Sequence, residues 1–189
     1  DHGIYGALER VSEHEGEAGN APRQIMYRVY SKQAILAAGS IERPIAFADN
    51  DRPGIMLAGA MRSYANRYKV AAGHNVTVFT NNNDGWRTAE DMIRHGVDVA
   101  AIIDTRADVT MKAPKGVRVI SGEGIAATSG RLRVKSLTTT GGETIKTDAI
   151  AVSGGWSPTV HLTCHHRGRP EWNAEIACFV PAGEIPTGM

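Results

Sequence analysis

The sequence predicts an α/β fold: a three-layer, Rossmann-like domain of the dinucleotide-binding type over about residues 50–154, flanked by parts of a second, incomplete domain. Three observations carry this expectation. Val76-Thr77-Val78-Phe79-Thr80 is an apolar run of β-favouring residues, and the strands of a parallel sheet are apolar on both faces. Ala89, Met92 and Ile93 follow at helical spacing, and Gly96 stands where a helix C-terminus wants positive φ. Val99-Ala100-Ala101-Ile102-Ile103 is a second apolar run, closed by Asp104. Strand, turn, helix, strand and acid is the outline of a dinucleotide-type βαβ unit.

Residues 1–49 read as the strands and closing turn of the incomplete domain. Gly3–Val11 is a mixed apolar segment, and Glu13–Pro22 is polar with Gly and Pro, a hairpin loop by composition. Gln24–Tyr30 alternates as a strand does, and Gln33–Ser40 reads as a buried strand that runs into a glycine turn. Asp51-Arg52-Pro53-Gly54 punctuates the chain and marks a domain boundary. Leu57 to about Tyr68 predicts a helix with Leu57, Met61, Ala65 and Tyr68 as its apolar stripe.

The helix after Val76–Thr80 has N-cap candidates in Asn83 and Asp84, and Thr88 with Asp91 has the spacing of a capping box. Beyond Asp104 lies a polar linker with Pro114 and Gly116, then a strand at Val117–Ile120. Gly122–Thr128, Leu132–Thr139 and Glu143–Thr147 read as short strands joined at Ser129-Gly130 and Gly141-Gly142. Asp148–Val152 is one more buried strand, ending in Ser153-Gly154-Gly155-Trp156. Residues 155–189 form a return segment toward the first domain, without periodicity and rich in His, Pro, Gly and Cys.

The turn after Val76–Thr80 departs from a working phosphate site. Such a turn reads G-x-G-x-x-G, because the backbone must approach a pyrophosphate and the helix must pack on the strand. Here it reads TNNNDGWRTA and keeps only Gly85. Asn tolerates the left-handed region, so a turn still forms. Asp84 brings a carboxylate to the helix N-terminus, where the anion should come from a ligand. The expectation is a dinucleotide fold whose own phosphate site has decayed.

Bulk properties narrow the partners. The 189 residues hold one ordinary domain or two small ones, with 42% apolar residues. A net charge of +1 argues against nucleic acid or an anionic membrane. No apolar run approaches the roughly 20 residues of a membrane span, and no secretory leader is recognisable. The first residue is Asp, which reads as a piece cut from a longer chain. Only Cys164 and Cys178 are present, a count that fits a reducing, cytoplasmic setting.

Three stretches together resemble the two-dinucleotide-domain flavoproteins. The strand leading to Ala38-Gly39 resembles the motif that closes their flavin-type domain. Val76–Asp104 stands where their inserted nicotinamide-type domain stands, and Ile150–Pro158 resembles their exit from that insert. More narrowly, AAGSIERPIAFADNDRPGIMLAGAMRSYANRY, VTVFTNNNDGWRTA and SGGWSPTVHL are similar to the α subunit of heterotetrameric sarcosine oxidase. The resemblance runs over nearly the whole chain and covers a middle portion of such a subunit. The family's first G-x-G-x-x-G turn, its ferredoxin-like N-terminal region and its folate-type C-terminal domain are not in it.

The resemblance implies a cytoplasmic complex that demethylates sarcosine to glycine with oxygen and releases hydrogen peroxide. It implies NAD in the full subunit, FAD and FMN in the complex, and the β, γ and δ subunits as partners. The oxidation itself would occur at a flavin on the β subunit. Two rivals remain: a stand-alone NAD(P)H-dependent flavoprotein reductase of disulfide-reductase type, against which the lack of C-x-x-C speaks, and an interaction module that binds no ligand.

The candidate cofactor-binding residues are Ala38, Gly39 and Ser40, at a turn where glycine permits close approach of a ligand, and Gly154 and Gly155 at the second such turn. Asp104 ends the second strand at the place of a ribose-binding acid, with Arg106 suited to a 2′-phosphate, but the decayed turn makes a solvated strand end the better reading. His161, Cys164, His165, His166 and Cys178 are zinc-ligand types without a zinc framework, so no metal site is assigned. The three Trp residues read as packing or interface residues, and Glu42-Arg43 and Asp49-Asp51-Arg52 as surface charge pairs. No catalytic residue is assigned.

Overall fold

The computed structural model describes residues 3–12, 21–165 and 168–181. They belong to two compact units, one made of residues 1–40 and 157–189, the other of residues 41–156.

The second unit is a five-stranded parallel sheet with helices on one face and a small antiparallel sheet on the other. Its elements are β1 (Ile55–Leu57), α1 (Ala58–Ser63), β2 (Asn75–Thr80), α2 (Asn83–Arg94), β3 (Asp98–Asp104), β4 (Val119–Ser121), β5 (Ile125–Ser129), β6 (Ser136–Thr139), β7 (Thr144–Lys146) and β8 (Ala149–Ser153). The parallel sheet has the order β1-β8-β2-β3-β4, and β5, β6 and β7 form the meander. Val76 of β2 pairs with Val99 of β3 and Ala149 of β8. Every residue of β8 is buried, and so is β2 from Val76 onward. That is why both are mostly apolar, with Thr77, Thr80 and Ser153 as buried polar exceptions.

Alternation along these strands feeds two cores. Val76, Val78, Ile102, Ala149 and Ala151 point to the helices and meet Met61, Ala65, Trp86, Ala89 and Met92. Phe79, Ile103, Ile150 and Val152 point to the meander and meet Ile125, Val134, Leu137 and Ile145. The linker after Asp104 is less idle than its polarity implied: Val109, Met111, Ala113 and Val117 pack, partly buried, on the helix-side core.

The two helices begin and end for different reasons. α2 is capped by Asn82, whose Oδ1 accepts from the backbone N–H of Asp84 at 2.9 Å and of Gly85 at 3.3 Å. Asn83 and Asp84, the expected caps, are already helical, and Thr88 donates to the Asp84 carbonyl within the helix. The nearest amide carbonyl thus wins the cap. The C-terminus is as expected: Gly96 has φ +74°, and the N–H groups of Gly96 and Val97 reach the carbonyls of Ile93 and Met92.

α1 is shorter than its apolar stripe suggests. It passes into a π-helical turn at Tyr64–Tyr68, closed by Lys69 in the left-handed region. Met61 and Ala65 stay buried, but the wider turn swings Tyr68 off the stripe, and it is 65% exposed.

In the first unit, Ile4–Arg10 pairs antiparallel with Gln24–Tyr30, Leu8 opposite Met26. Glu171–Asn173 pairs with Cys178–Val180, and Trp172 meets Phe179 edge to face at 5.3 Å. Most of the expected Glu13–Pro22 loop, His166 and the end of the return segment lie outside the described residues.

The expected buried strand at Gln33–Ser40 is not there. Residues 32–39 are irregular, and Ile35 is 96% exposed. An apolar run becomes a buried strand only when a ladder flanks it, and no strand among the described residues pairs with this one.

Candidate functional site

In open parallel sheets, ligands bind outside the carboxyl ends of the strands, where the strand order reverses. Here the reversal falls between β2 and β8. The residues at that point are Thr80 to Asn82, Ser153 with Gly154, and, beside them, Glu42 and the start of α1.

The crevice is occupied by the chain's own polar groups. Asn82 caps α2 with Oδ1 and donates with Nδ2 to the Ser153 carbonyl at 3.0 Å and to Ser153 Oγ at 3.2 Å. One amide therefore ties the two strand ends together. Thr80 Oγ1 folds back onto the Asn82 N–H and carbonyl at 3.1 and 3.0 Å. Asp84, at the mouth of α2, is held by Arg62 of α1 at 3.2 Å.

Gly85 is the one glycine left in the turn, and its role is packing. A Cβ there would lie 2.3 Å from Thr80 Oγ1 and 2.4 Å from Thr80 Cβ. It lets α2 press on β2, as the third glycine of a dinucleotide fingerprint does, while the two glycines that admit a pyrophosphate have no counterpart.

Asp104 corrects one expectation. It is fully buried rather than a solvated strand end. Arg106 grips it with Nε at 3.0 Å and Nη2 at 2.8 Å, Trp86 Nε1 donates at 2.8 Å, and the Arg106 backbone N–H donates at 3.0 Å. Burial by itself would raise its carboxyl; the guanidinium, the indole and the backbone N–H outweigh burial and hold it below the usual carboxylate range. An acid so engaged has no lone pair aimed at a ribose.

Glu42 corrects another. It is 8% exposed rather than part of a surface charge pair. Its Oε2 accepts from the Gly59 N–H, at the start of α1, at 2.8 Å. Its Oε1 is buried and has no hydrogen-bond partner. Burial, with Asp84 nearby, pushes the carboxyl above the usual range, against the pull of the Gly59 N–H, the Ser153 hydroxyl and Arg62. Nothing in the local sequence signals this role, because Gly59 and Ser153 are neighbours only in space.

The sequence-derived candidates fall into separate places. Ala38, Gly39 and Ser40 are exposed; Gly39 has φ +68°, and a Cβ there would meet nothing within 4 Å. Its carbonyl accepts from the Thr159 N–H at 3.0 Å. Gly154 is buried against backbone: a Cβ would lie 2.7 Å from the carbonyl oxygens of Arg43 and Pro44. Its N–H donates to the Arg43 carbonyl at 2.7 Å, and the Gly155 carbonyl accepts from the Arg43 N–H at 2.9 Å. Glycine there answers the close approach of two chain segments. Cys164 is exposed and Cys178 buried, both as free thiols. Among the described residues no three metal-ligating side chains gather; the side chains of His165 and His166 lie outside them.

The residues at the switch point do not fit a dinucleotide: its helix N-termini are engaged, its strand-end acid is paired, and its remaining glycine is filled by Thr80.

Comparison with known proteins places the chain. It is 40% identical over 189 residues to the sarcosine oxidase α subunit of Rhizobium meliloti (strain 1021), a match covering 98% of this chain and 19% of that protein. It is 35% identical to the sarcosine oxidase α subunit of a Corynebacterium species (strain U-96), over 96% of this chain and 20% of that protein. The chain thus spans about a fifth of the length of the curated relatives it matches. No family model matches it. Among solved structures, L-proline dehydrogenase from P. horikoshii has a TM-score of 0.66 at 19% identity, over 87% of this chain and 30% of that one. An FAD-dependent pyridine nucleotide-disulphide oxidoreductase from Desulfovibrio vulgaris has a TM-score of 0.56 at 14% identity, over 82% and 46%. These likenesses establish the α/β, Rossmann-like fold.

Proposed function

We propose that the chain is the nucleotide-binding central region of a sarcosine oxidase α subunit, in a cytoplasmic complex that demethylates sarcosine to glycine with oxygen and releases hydrogen peroxide. The observation that carries this reading is the 35–40% identity to such subunits over 96% or more of the chain. The region holds cofactor and subunits and leaves the chemistry to the rest of the complex. The fold supports that division: Asp84 at the start of α2 and Asp104 at the end of β3 are locked in ion pairs with Arg62 and Arg106.

On this reading the complex comprises α, β, γ and δ subunits and carries NAD, FAD and FMN. The nucleotide edge that this chain offers is the backbone at Ala38, Gly39 and Ser40, exposed and free of overlying atoms at Gly39. Gly154 and Gly155 enter the same proposal as a second backbone turn, one that would meet the nucleotide outside the switch-point crevice, since Gly154 itself is packed on the Arg43 and Pro44 carbonyls.

The test is the purified assembly that carries this chain. Sarcosine-dependent oxygen uptake with matching peroxide, and NAD released from the protein in stoichiometric amount, are expected. A flavin-loaded assembly that consumes no oxygen with sarcosine overturns the reading.

A further inference from the structure

The switch-point crevice has two helix N-termini beside it, and both are held by side chains of the protein. Asn82 takes the first N–H groups of α2. Glu42 takes the Gly59 N–H of α1. The Glu42 carboxylate is pressed onto that backbone: a Cβ on Gly59 would stand 2.6 Å from Glu42 Oε2 and 3.6 Å from the Trp156 ring. Arg62, the cation of this corner, is engaged by Asp91 at 2.7 Å and Asp84 at 3.2 Å.

Folding energy does not account for Glu42. A carboxylate buried with one backbone hydrogen bond, from Gly59, and the Ser153 hydroxyl as its other polar neighbour gives up more hydration than these contacts return, and so costs stability. Residues that break a local rule at such a cost mark sites with a role beyond folding. What the side chain does is fill, with a negative charge, the space between Gly59 and Ser153 at the carboxyl ends of the strands, where a ligand of such a sheet otherwise stands.

We propose that Glu42 is a resident anion that keeps the strand-end crevice of this unit shut to dinucleotides. The carboxylate excludes a ligand phosphate by volume and by charge, and the Asn82–Ser153 bridge closes the other side. Any nucleotide the protein holds is therefore bound outside this crevice. The inference goes beyond the assembly reading and does not rest on it: the crevice is shut whether or not the complex oxidises sarcosine.

Hydrogen exchange read by mass spectrometry on the intact protein tests this locally, at residues 57–63 and 80–90. In the wild type and in Glu42→Gln, which keeps the shape, NADH and inorganic pyrophosphate are expected to leave exchange at both segments unchanged. In Glu42→Ala the plug is gone, and pyrophosphate is expected to slow exchange there about threefold or more, relative to chloride at equal ionic strength. Slowing in the wild type by NADH, or a Glu42→Ala protein that responds no more than wild type, overturns the proposal. If Glu42→Ala does not fold, the wild-type and Glu42→Gln arms still decide: protection at either segment sinks the idea, and unchanged exchange supports it. Because the readout is confined to these segments, NAD bound elsewhere does not disturb it.

Discussion

Asn82 donates to both the carbonyl and the hydroxyl of Ser153, at 3.0 and 3.2 Å, across the point where the strand order reverses. The same side chain caps α2. Asn82→Ala is expected to lower stability by about 2 kcal/mol, roughly half for the cap and half for the bridge. Asn82→Asp keeps the cap acceptor but loses the two donors, so it should fall between. Urea unfolding measures both; an Asn82→Ala protein within experimental error of wild type would sink the assignment.

Asp104 and Arg106 form the buried end of β3, with Trp86 as third partner. Asp104→Asn leaves the guanidinium facing a neutral amide and is expected to cost about 2–4 kcal/mol. The pH dependence follows from the depressed carboxyls of Asp104, Asp91 and Asp148. A group whose folded pKa lies below its unfolded value stabilises above the unfolded value and loses that contribution as pH falls through the folded one. Stability should therefore decline on the acid side of the ordinary carboxylate range, and Asp104→Asn should flatten the decline. Denaturant melts across that range decide it.

Glu42 gives the opposite sign. Its folded pKa is raised, so it imposes a penalty that is full above the folded pKa and vanishes as pH falls to the unfolded value. Glu42→Gln removes that penalty. Its stability relative to wild type is expected to be greatest at neutral pH and to shrink on acidification. A pH-independent difference would show that the carboxylate is not buried as described.

Gly85→Ala drives a methyl group into Thr80. The expected cost is about 1–3 kcal/mol, the range for overpacking, although alanine is the better helix former. A neutral or stabilising effect, read by thermal unfolding, would contradict the packing of α2 on β2.

Hydrogen exchange should be slow at Val76–Phe79 and Ile150–Val152, central strands with neighbours on both sides. It should be fast at Ile35–Ala38, which lies outside any ladder. Equal protection at the two would overturn the irregular reading of residues 32–39.

Much of the fold was legible because its signals are local. Val76–Phe79 and Ala149–Val152 are apolar but for Thr77, and a strand covered on both faces has that composition wherever it stands. Gly96 announces the end of α2 by the φ it must adopt. TNNNDGWRTA already shows that the turn lacks the glycines of a phosphate-binding fingerprint, since glycines missing from the sequence are missing in any fold. What the sequence could not decide were facts of proximity. Whether Ile35–Ala38 forms a strand depends on partners distant in the chain, and composition does not reveal them. Asp104 looked like a strand end in water because its ligands, Trp86 and Arg106, acquire their geometry only when α2 packs on the sheet. Glu42 looked like a surface charge, and only the tertiary structure sets it against Gly59, 17 residues on, and near Ser153, more than a hundred residues away. Burial and pairing are properties of the packed state, so an ionisable side chain takes its role there from neighbours that chain order does not name.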